Sequence, residues 1–362
     1  MTPEIATTVR AYAPGRVNLI GEHTDYNLGY ALPIALRSGT SVTFTADDGD
    51  VLAVTSEAES QDLTVAVDTA PGDLDGWGAY VAGCVWALQQ AGHVVRGGRM
   101  SITSTVPMGS GLSSSAALEC AVLLALTAER PLPPLEVARI AQRAENDYVG
   151  APTGLLDQLS SLYGRADTAL LVDFSSLEVT EVPMDLGDAH RLLVIDSHAP
   201  HQNVAGEYAK RRLSCENAAR ELGVPSLREV DPEAWRRLRD EPERSRARHI
   251  LTENTRVLDA AEALRHGDLA TLGRLMCLSH ASMRDDFEIT TEHIDLIAER
   301  ACELGALGAR MTGGGFGGSV IALCSDEVAH RITAELGETV ADAGYPAPTI
   351  RAVRPGRGAH RC

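Results

Sequence analysis

Three separated stretches of the 362-residue chain combine glycine with side chains that bind anions or hydroxyls. The middle one, PMGSGLSSSAALE from Pro107 to Glu119, leads from a strand through Gly109, Ser110 and Gly111 into an Ala/Leu-rich helix. Glycines let a backbone turn its N–H groups inward, and a helix N-terminus adds the positive end of a dipole. Gly109, Ser110, Gly111, Leu112, Ser113, Ser114 and Ser115 therefore form a candidate phosphate cradle. The hydroxyls suit phosphate oxygens or a metal ion, although a glycine turn with a serine cap looks the same. A late run, MTGGGFGGS from Met311 to Ser319, has glycine at 313, 314, 315, 317 and 318, which predicts a sharp bend or a close backbone approach. Near the N-terminus, Arg16 precedes a short apolar strand, and Glu22, His23, Asp25 and Tyr26 crowd the turn that follows. Such mixed donors and acceptors suit a polyhydroxylated ligand, because each hydroxyl needs both; a solvated turn is the alternative. For a mononuclear metal, His23 and Asp25 have no further partner at suitable local spacing.

These stretches need elements to hold them. Periodicity predicts strands at Val17–Ile20, Ala31–Leu36, Ser41–Phe44, Leu63–Val67, Arg99–Ser104 and Ala169–Asp173, with helices at Ala79–Gln90, Ser114–Ala128, Leu135–Val149 and Leu155–Leu162. A second half opens with a strand at Leu192–Asp196. It continues as charged helices over Glu207–Leu222, Pro232–Arg239, Glu241–Arg265 and Asp268–Met283, then a helix at Ile294–Leu304, a strand at Ser319–Cys324 and a helix at Glu327–Ala341. The class is α+β in two domains, residues 1–180 and 181–362. No Walker P-loop occurs, and Gly109-x-Gly111 lacks the third glycine of a dinucleotide fingerprint.

Composition narrows the function. Hydrophobic residues are 44% and charged residues 23% of the chain, as in ordinary globular domains. Lys plus Arg number 32 against 50 Asp plus Glu, and the net charge of −18 repels nucleic acid and anionic lipid over most of the surface. The longest nearly apolar stretch, Ala116–Ala128, is interrupted by Glu119 and is too short to span a bilayer. With no basic-then-apolar leader visible, a cytoplasmic protein is expected. Seven cysteines, spaced singly without a C-x-x-C pair, predict reduced, packing thiols rather than a zinc site or a disulfide framework.

The stretch G-R-V-N-L-I-G-E-H-T-D-Y at Gly15–Tyr26 resembles the galactokinase signature position for position. Pro107–Ala117 and Met311–Gly318 resemble the second and third motifs of the wider GHMP kinase superfamily, in that superfamily's order, and the similarity extends over essentially the whole chain. The resemblance implies a two-domain GHMP kinase fold, with mixed sheets flanked by helices and the active site in the cleft between domains. It implies transfer of the γ-phosphoryl group of Mg-ATP to the C1 hydroxyl of galactose. It places the catalytic aspartate on Asp157 in TGLLDQLSSLYG, with Arg16 beside it. Glu22, His23, Thr24, Asp25, Gly154, Asp157 and Tyr208 would hold the sugar, Gly109 to Ser115 the phosphates, and Ser115 with Glu145 the Mg2+ ion.

The residues themselves leave room for other readings. Glu145 continues the helical row Val137, Ala141, Glu145, so it either binds something or snorkels to solvent. Asp157 in a first helical turn also serves as a dipole stabiliser, Thr153 is placed to cap that helix, and Tyr208 suits packing on an amphipathic helix. GAPTGLLDQ replaces the Cys-Gly-hydrophobic-Met-Asp-Gln run of many relatives, retaining Gly154, Asp157 and Gln158, and the change bears on sugar selectivity. An N-acetylgalactosamine kinase shares most of these motifs. A sugar-binding regulator without turnover would have lost residues in the serine–alanine run, whereas Ser113 to Ala117 are intact. A mevalonate or homoserine kinase would not explain Gly15–Tyr26. A monomer is expected.

Overall fold

The computed structural model describes residues 8–107, 109–199 and 204–362; Met108 of the middle motif lies outside them, as do the first seven residues. The chain begins with β1 (Thr8–Asn18), β2 (Tyr30–Ala31), β3 (Pro33–Ala46), β4 (Val51–Ser56) and β5 (Leu63–Ala66), then α1 (Gly76–Gln90) and β6 (Gly98–Ser104). The helices α2 (Ser114–Leu126), α3 (Pro134–Arg143) and α4 (Leu156–Tyr163) follow, and then β7 (Thr168–Asp173), β8 (Glu178–Pro183) and β9 (His190–Asp196). The remainder is α5 (Val204–Glu221), α6 (Glu243–Arg265), α7 (Leu269–Ser282), α8 (Glu292–Glu303), β10 (Gly308–Thr312), β11 (Ser319–Ser325), α9 (Asp326–Asp342), β12 (Thr349–Val353) and β13 (His360–Arg361).

Three sheets result. A six-stranded sheet runs β13-β1-β3-β6-β4-β5, a four-stranded one β10-β11-β9-β12, and a three-stranded one β2-β7-β8. Only the β4–β6 pairing is parallel among the described strands. The first sheet turns Ala11, Val42, Phe44, Leu52, Val54, Met100 and Ile102 onto α1, α2 and α3. The second is covered by α5, α6, α8 and α9, with Phe287 and Met311 fully buried in that core. Between them, Val17, Leu19, Leu32 and Ile34 meet Val257 and Ala260 of α6, Leu272 and Met276 of α7, and Ile321 and Leu323 of β11. Residue 180 falls within β8, and β13, from the far end of the chain, pairs with β1 at Ala11–Arg361 and Tyr12–His360.

Several elements differ from the sequence expectation for identifiable reasons. The expected helix over Pro232–Arg239 shrinks to one 3-10 turn at Ala234–Arg237, wedged by its proline-bounded loop against α6. The expected helix Leu135–Val149 stops being α-helical at Arg143 and widens into a π-type turn over Ala144–Val149, ended by Gly150 at φ 83°. Strands β10 and β12 were not expected: each is five residues long, and β10 is buried on both faces with Arg310 in its middle.

A bulge in β1 between Pro14 and Arg16 aims Arg16 inward. Its backbone N–H donates to the Leu112 carbonyl at 3.1 Å, and a Cβ on Gly15 would sit 2.6 Å from that oxygen. Thus the first motif docks on the middle one through bare backbone. A comparable approach holds α7 to β10, where a Cβ on Gly273 would lie 2.3 Å from the Leu307 carbonyl oxygen. Gly273→Ala is expected to lower the free energy of unfolding by about 1–3 kcal/mol through overpacking, read as a lower urea midpoint with unchanged slope.

Candidate functional site

The site grows from three backbone devices. In the middle motif Gly109, Gly111 and Ser113 all take positive φ, at 70°, 75° and 59°, and lead directly into the first turn of α2. Ser110 is buried and ties the turn down, its hydroxyl donating to Pro107 and its carbonyl accepting from Ser319 at 2.7 Å. Leu112 is buried in the central core, while Ser113, Ser114 and Ser115 stay partly exposed at the head of the helix. The late glycine loop faces this turn: a Cβ on Gly313 would come within 3.1 Å of the Gly111 carbonyl oxygen. The two glycine motifs therefore form one concave edge at a helix N-terminus.

The cavity beside that edge has a volume of about 330 Å³, and Arg16, Asp157, Asp25, Gly154, His23 and Tyr208 are among its walls. Asp157 sits in the first turn of α4. Its Oδ1 accepts from Arg16 Nε at 2.8 Å and lies 2.7 Å from Arg16 Nη2, and its Oδ2 accepts from Ser113 Oγ at 2.5 Å. Arg16 Nη1 donates to the Gly111 carbonyl at 2.7 Å, so one guanidinium fixes both the carboxylate and the glycine–serine turn.

Opposite, the first motif supplies a wall of rings and a carboxylate. Burial pushes the His23 imidazole down to about 3, so it is neutral. Its Nε2–H then donates to the Gly314 carbonyl at 3.1 Å and its Nδ1 accepts from the Tyr26 hydroxyl at 2.8 Å. The Tyr208 ring packs 4.8 Å from His23 and 5.4 Å from Tyr26, centroid to centroid. Asp25 lies against Gly154 so closely that a Cβ there would fall 1.7 Å from its Oδ2. Glu22 also borders the cavity, but its carboxylate is engaged by Arg310 and by the Gly313 N–H at 3.1 Å. Thr24 is fully buried, its hydroxyl bonded to the Gly21 and Tyr30 carbonyls, and it is not among the cavity walls.

Glu145 lies in the π-type turn and continues the buried row of Val137 and Ala141. Its Oε1 accepts from Ser115 Oγ at 3.1 Å and its Oε2 from Thr153 Oγ1 at 2.9 Å and Gln158 Nε2 at 3.0 Å. Thr153 is thus spent on Glu145 and does not cap α4, whose N-cap position is Leu155 without a side-chain bond. Burial, reinforced by the charge of Asp157, raises the Glu145 carboxyl to about 7. No Lys or Arg pairs with it among the described residues. One turn beyond Ser115, Glu119 is fully enclosed, and burial followed by the charge of Glu145 drives its carboxyl far above the usual range.

Thr153, Gln158, Gly314 and Arg310 belong to the site or its frame without having been singled out for it by sequence. Gln158, one residue from Asp157 within the TGLLDQ segment, offered a signal; Arg310 in a buried strand offered none. No cluster of three or more His, Cys, Asp or Glu side chains suited to a metal occurs among the described residues, and no helix is long and apolar enough to cross a membrane.

Asp25 carries a titration with a definite sign. Burial, with the Asp157 charge adding to it, raises its carboxyl to about 6 from an ordinary value near 4. The folded state therefore holds this proton more tightly than the unfolded chain. The stability contributed is complete below about pH 4 and is lost as pH rises through about 6. Asp25→Asn is expected to raise the unfolding free energy by roughly 1–3 kcal/mol at pH 8, with the gain fading toward pH 4. Urea titrations of both proteins across that range check it.

The sequence matches the GHMP kinases N terminal domain over residues 79–165, the GHMP kinases C terminal domain over 260–342, and the galactokinase galactose-binding signature over 4–45. A galactokinase of Mycobacterium bovis is 53% identical over 361 residues, covering 98% of this chain and 99% of the relative. The crystal structure of Lactococcus lactis galactokinase complexed with galactose superposes with a TM-score of 0.92 at 33% identity, covering 98% of this chain and 95% of that one. The Methanococcus jannaschii mevalonate kinase shares the fold at a TM-score of 0.69 and 16% identity, over 98% of this chain and all of that one.

Proposed function

Because this chain belongs to the galactokinase family of GHMP kinases, we propose that its cavity holds galactose with the C1 hydroxyl at Asp157, while the glycine–serine turn before α2 holds the phosphates of ATP. The reaction is transfer of the γ-phosphoryl group of ATP to that hydroxyl, giving galactose 1-phosphate and ADP. The observation that carries the residue assignment is the clamp on Asp157. Arg16 and Ser113 each hold one of its oxygens where the sugar-sized cavity meets the helix N-terminus.

Each group then has a task set by its position. Asp157 hydrogen-bonds the C1 hydroxyl, aims it and takes its proton as the bond to phosphorus forms. Arg16 fixes the carboxylate and stabilises charge on the transferring group. The inward N–H groups of Gly109 to Ser115 cradle the phosphates, with the α2 dipole behind them. Asp25 accepts from sugar hydroxyls, neutral His23 is locked in one tautomer at the cavity wall, and Tyr208 covers an apolar sugar face. Positioning dominates such a reaction, since little covalent chemistry is left for the protein.

Ser115 and Glu145 fit a magnesium ion. Both donors are oxygen, they lie side by side, and the buried Glu145 carboxylate lacks a cationic partner among the described residues. Mg2+ is commonly held by one or two protein oxygens plus substrate phosphates, so two donors suffice. When bound, it would offset the charge of the phosphate oxygens.

A coupled ADP-release assay with galactose, N-acetylgalactosamine, glucose, mevalonate and homoserine tests the reading. Turnover is expected on galactose. Galactose binding without ADP release would overturn it in favour of a non-catalytic sugar sensor. Asp157→Asn is expected to lower kcat by about 10²- to 10⁴-fold while calorimetric galactose affinity changes little. Gly154→Ala should act on the other substrate term: the displaced Asp25 is expected to cost about 10²-fold in kcat/KM for galactose, with the KM for ATP nearly unchanged.

A further inference from the structure

Helices α7 and α8 both pack on β10, and each carries a cysteine outside the catalytic cavity. The Sγ atoms of Cys277 on α7 and Cys302 on α8 are 3.7 Å apart, in direct contact, and both residues are partly exposed. Cys84, Cys120, Cys215 and Cys324 are buried, and Cys362 is exposed but distant in sequence from any other thiol. A disulfide needs its sulfurs at about 2.0 Å, a closure within reach of side-chain rotation from contact distance. The Cys302 thiol beside it, together with the Ala309 backbone N–H, pulls the Cys277 thiol below its usual range despite burial. Thiolate character and access are the two properties that select a cysteine for oxidation.

We propose that Cys277 and Cys302 are a redox modification site, at which hydrogen peroxide joins them in a reversible disulfide that staples α7 to α8. The Cys277 sulfur attacks one peroxide oxygen and the O–O bond breaks. The leaving oxygen takes up the Cys277 proton and departs as water, leaving a sulfenic acid on Cys277. The Cys302 sulfur then attacks the Cys277 sulfur, the S–O bond breaks, and that oxygen leaves with the Cys302 proton as a second water. The two thiols lose two electrons together and the peroxide gains them.

The staple fixes the two helices that flank β10, the strand carrying Arg310 and leading to the glycine loop at Gly313–Gly318. The full-length protein, reduced and then treated with stoichiometric hydrogen peroxide, is alkylated and digested without reductant. The expected result is a joined pair of peptides containing Cys277 and Cys302, loss of two of the seven alkylatable thiols, and reversal by dithiothreitol. The oxidised form should also melt several degrees higher. In Cys302→Ser the resolving sulfur is gone, so a dimedone adduct should accumulate on Cys277. Preferential oxidation of Cys362, covalent dimers, or a Cys277 that stays alkylatable or passes straight to sulfinic acid in the unaltered protein would overturn the proposal.

Discussion

The buried guanidinium of Arg310 is the interaction on which the rest is hung. It is 0% exposed, donates to the Asn18 and Leu19 carbonyls, pairs with Glu22 and lies 3.7 Å from Glu253. Glu253 in turn accepts from the Gly21 N–H at 3.0 Å and from Ser279, and pairs with Arg256. One network therefore ties the first motif, β10, α6 and α7 together. Although burial opposes it, the guanidinium groups of Arg256 and Arg310 and a hydrogen bond from Ser279 hold Glu253 down to about 2, whereas burial pushes Glu22 up despite Arg310. Breaking such a pair on one side leaves an uncompensated charge in the interior, which costs about 3–5 kcal/mol. Its value lies in position: Glu22 cannot shift without moving His23 and Asp25, the residues that face the cavity.

The carboxylates around the cavity are less well compensated than Glu253. Asp25 and Glu145 are both held above the ordinary carboxylate range by burial, and Asp157 is the charge that adds to each. Asp25 and Asp157 share the cavity with Arg16, and Glu145 lies near enough to Asp157 to be raised by its charge, so like charges crowd around one guanidinium. Under the proposed reading, sugar hydroxyls and a divalent cation would offset that crowding, and substrate binding would regain what folding gave up.

Much of this was legible in the chain, for reasons that differ by residue. Motifs made of glycine and short polar residues announce themselves because few structures need glycine at a positive φ, as Gly109, Gly111 and Gly313 show. Amphipathic helices and alternating strands read well. Strand β10 did not, because it is five residues long and its fully buried arginine looks in the sequence like a surface residue. The π-type turn at Ala144–Val149 was equally silent: its residues favour a plain helix, and only the contacts of Glu145 with Ser115, Thr153 and Gln158 show why the turn widens. The placement of Thr153 failed for the same reason, since local capping competes with a long-range partner that no local pattern encodes.

The pairing of β13 with β1 also bears on self-association. Arg361 also donates to the Leu124 and Thr127 carbonyls, so the chain's last strand latches α2 as well as the sheet edge. Without β13, that edge of the six-stranded sheet would be open. An open edge would present unpaired backbone along Ala11 and Tyr12, the kind of surface on which a strand of a second molecule can pair. The short β13 is thus a cover that keeps the sheet from serving as a template for another chain.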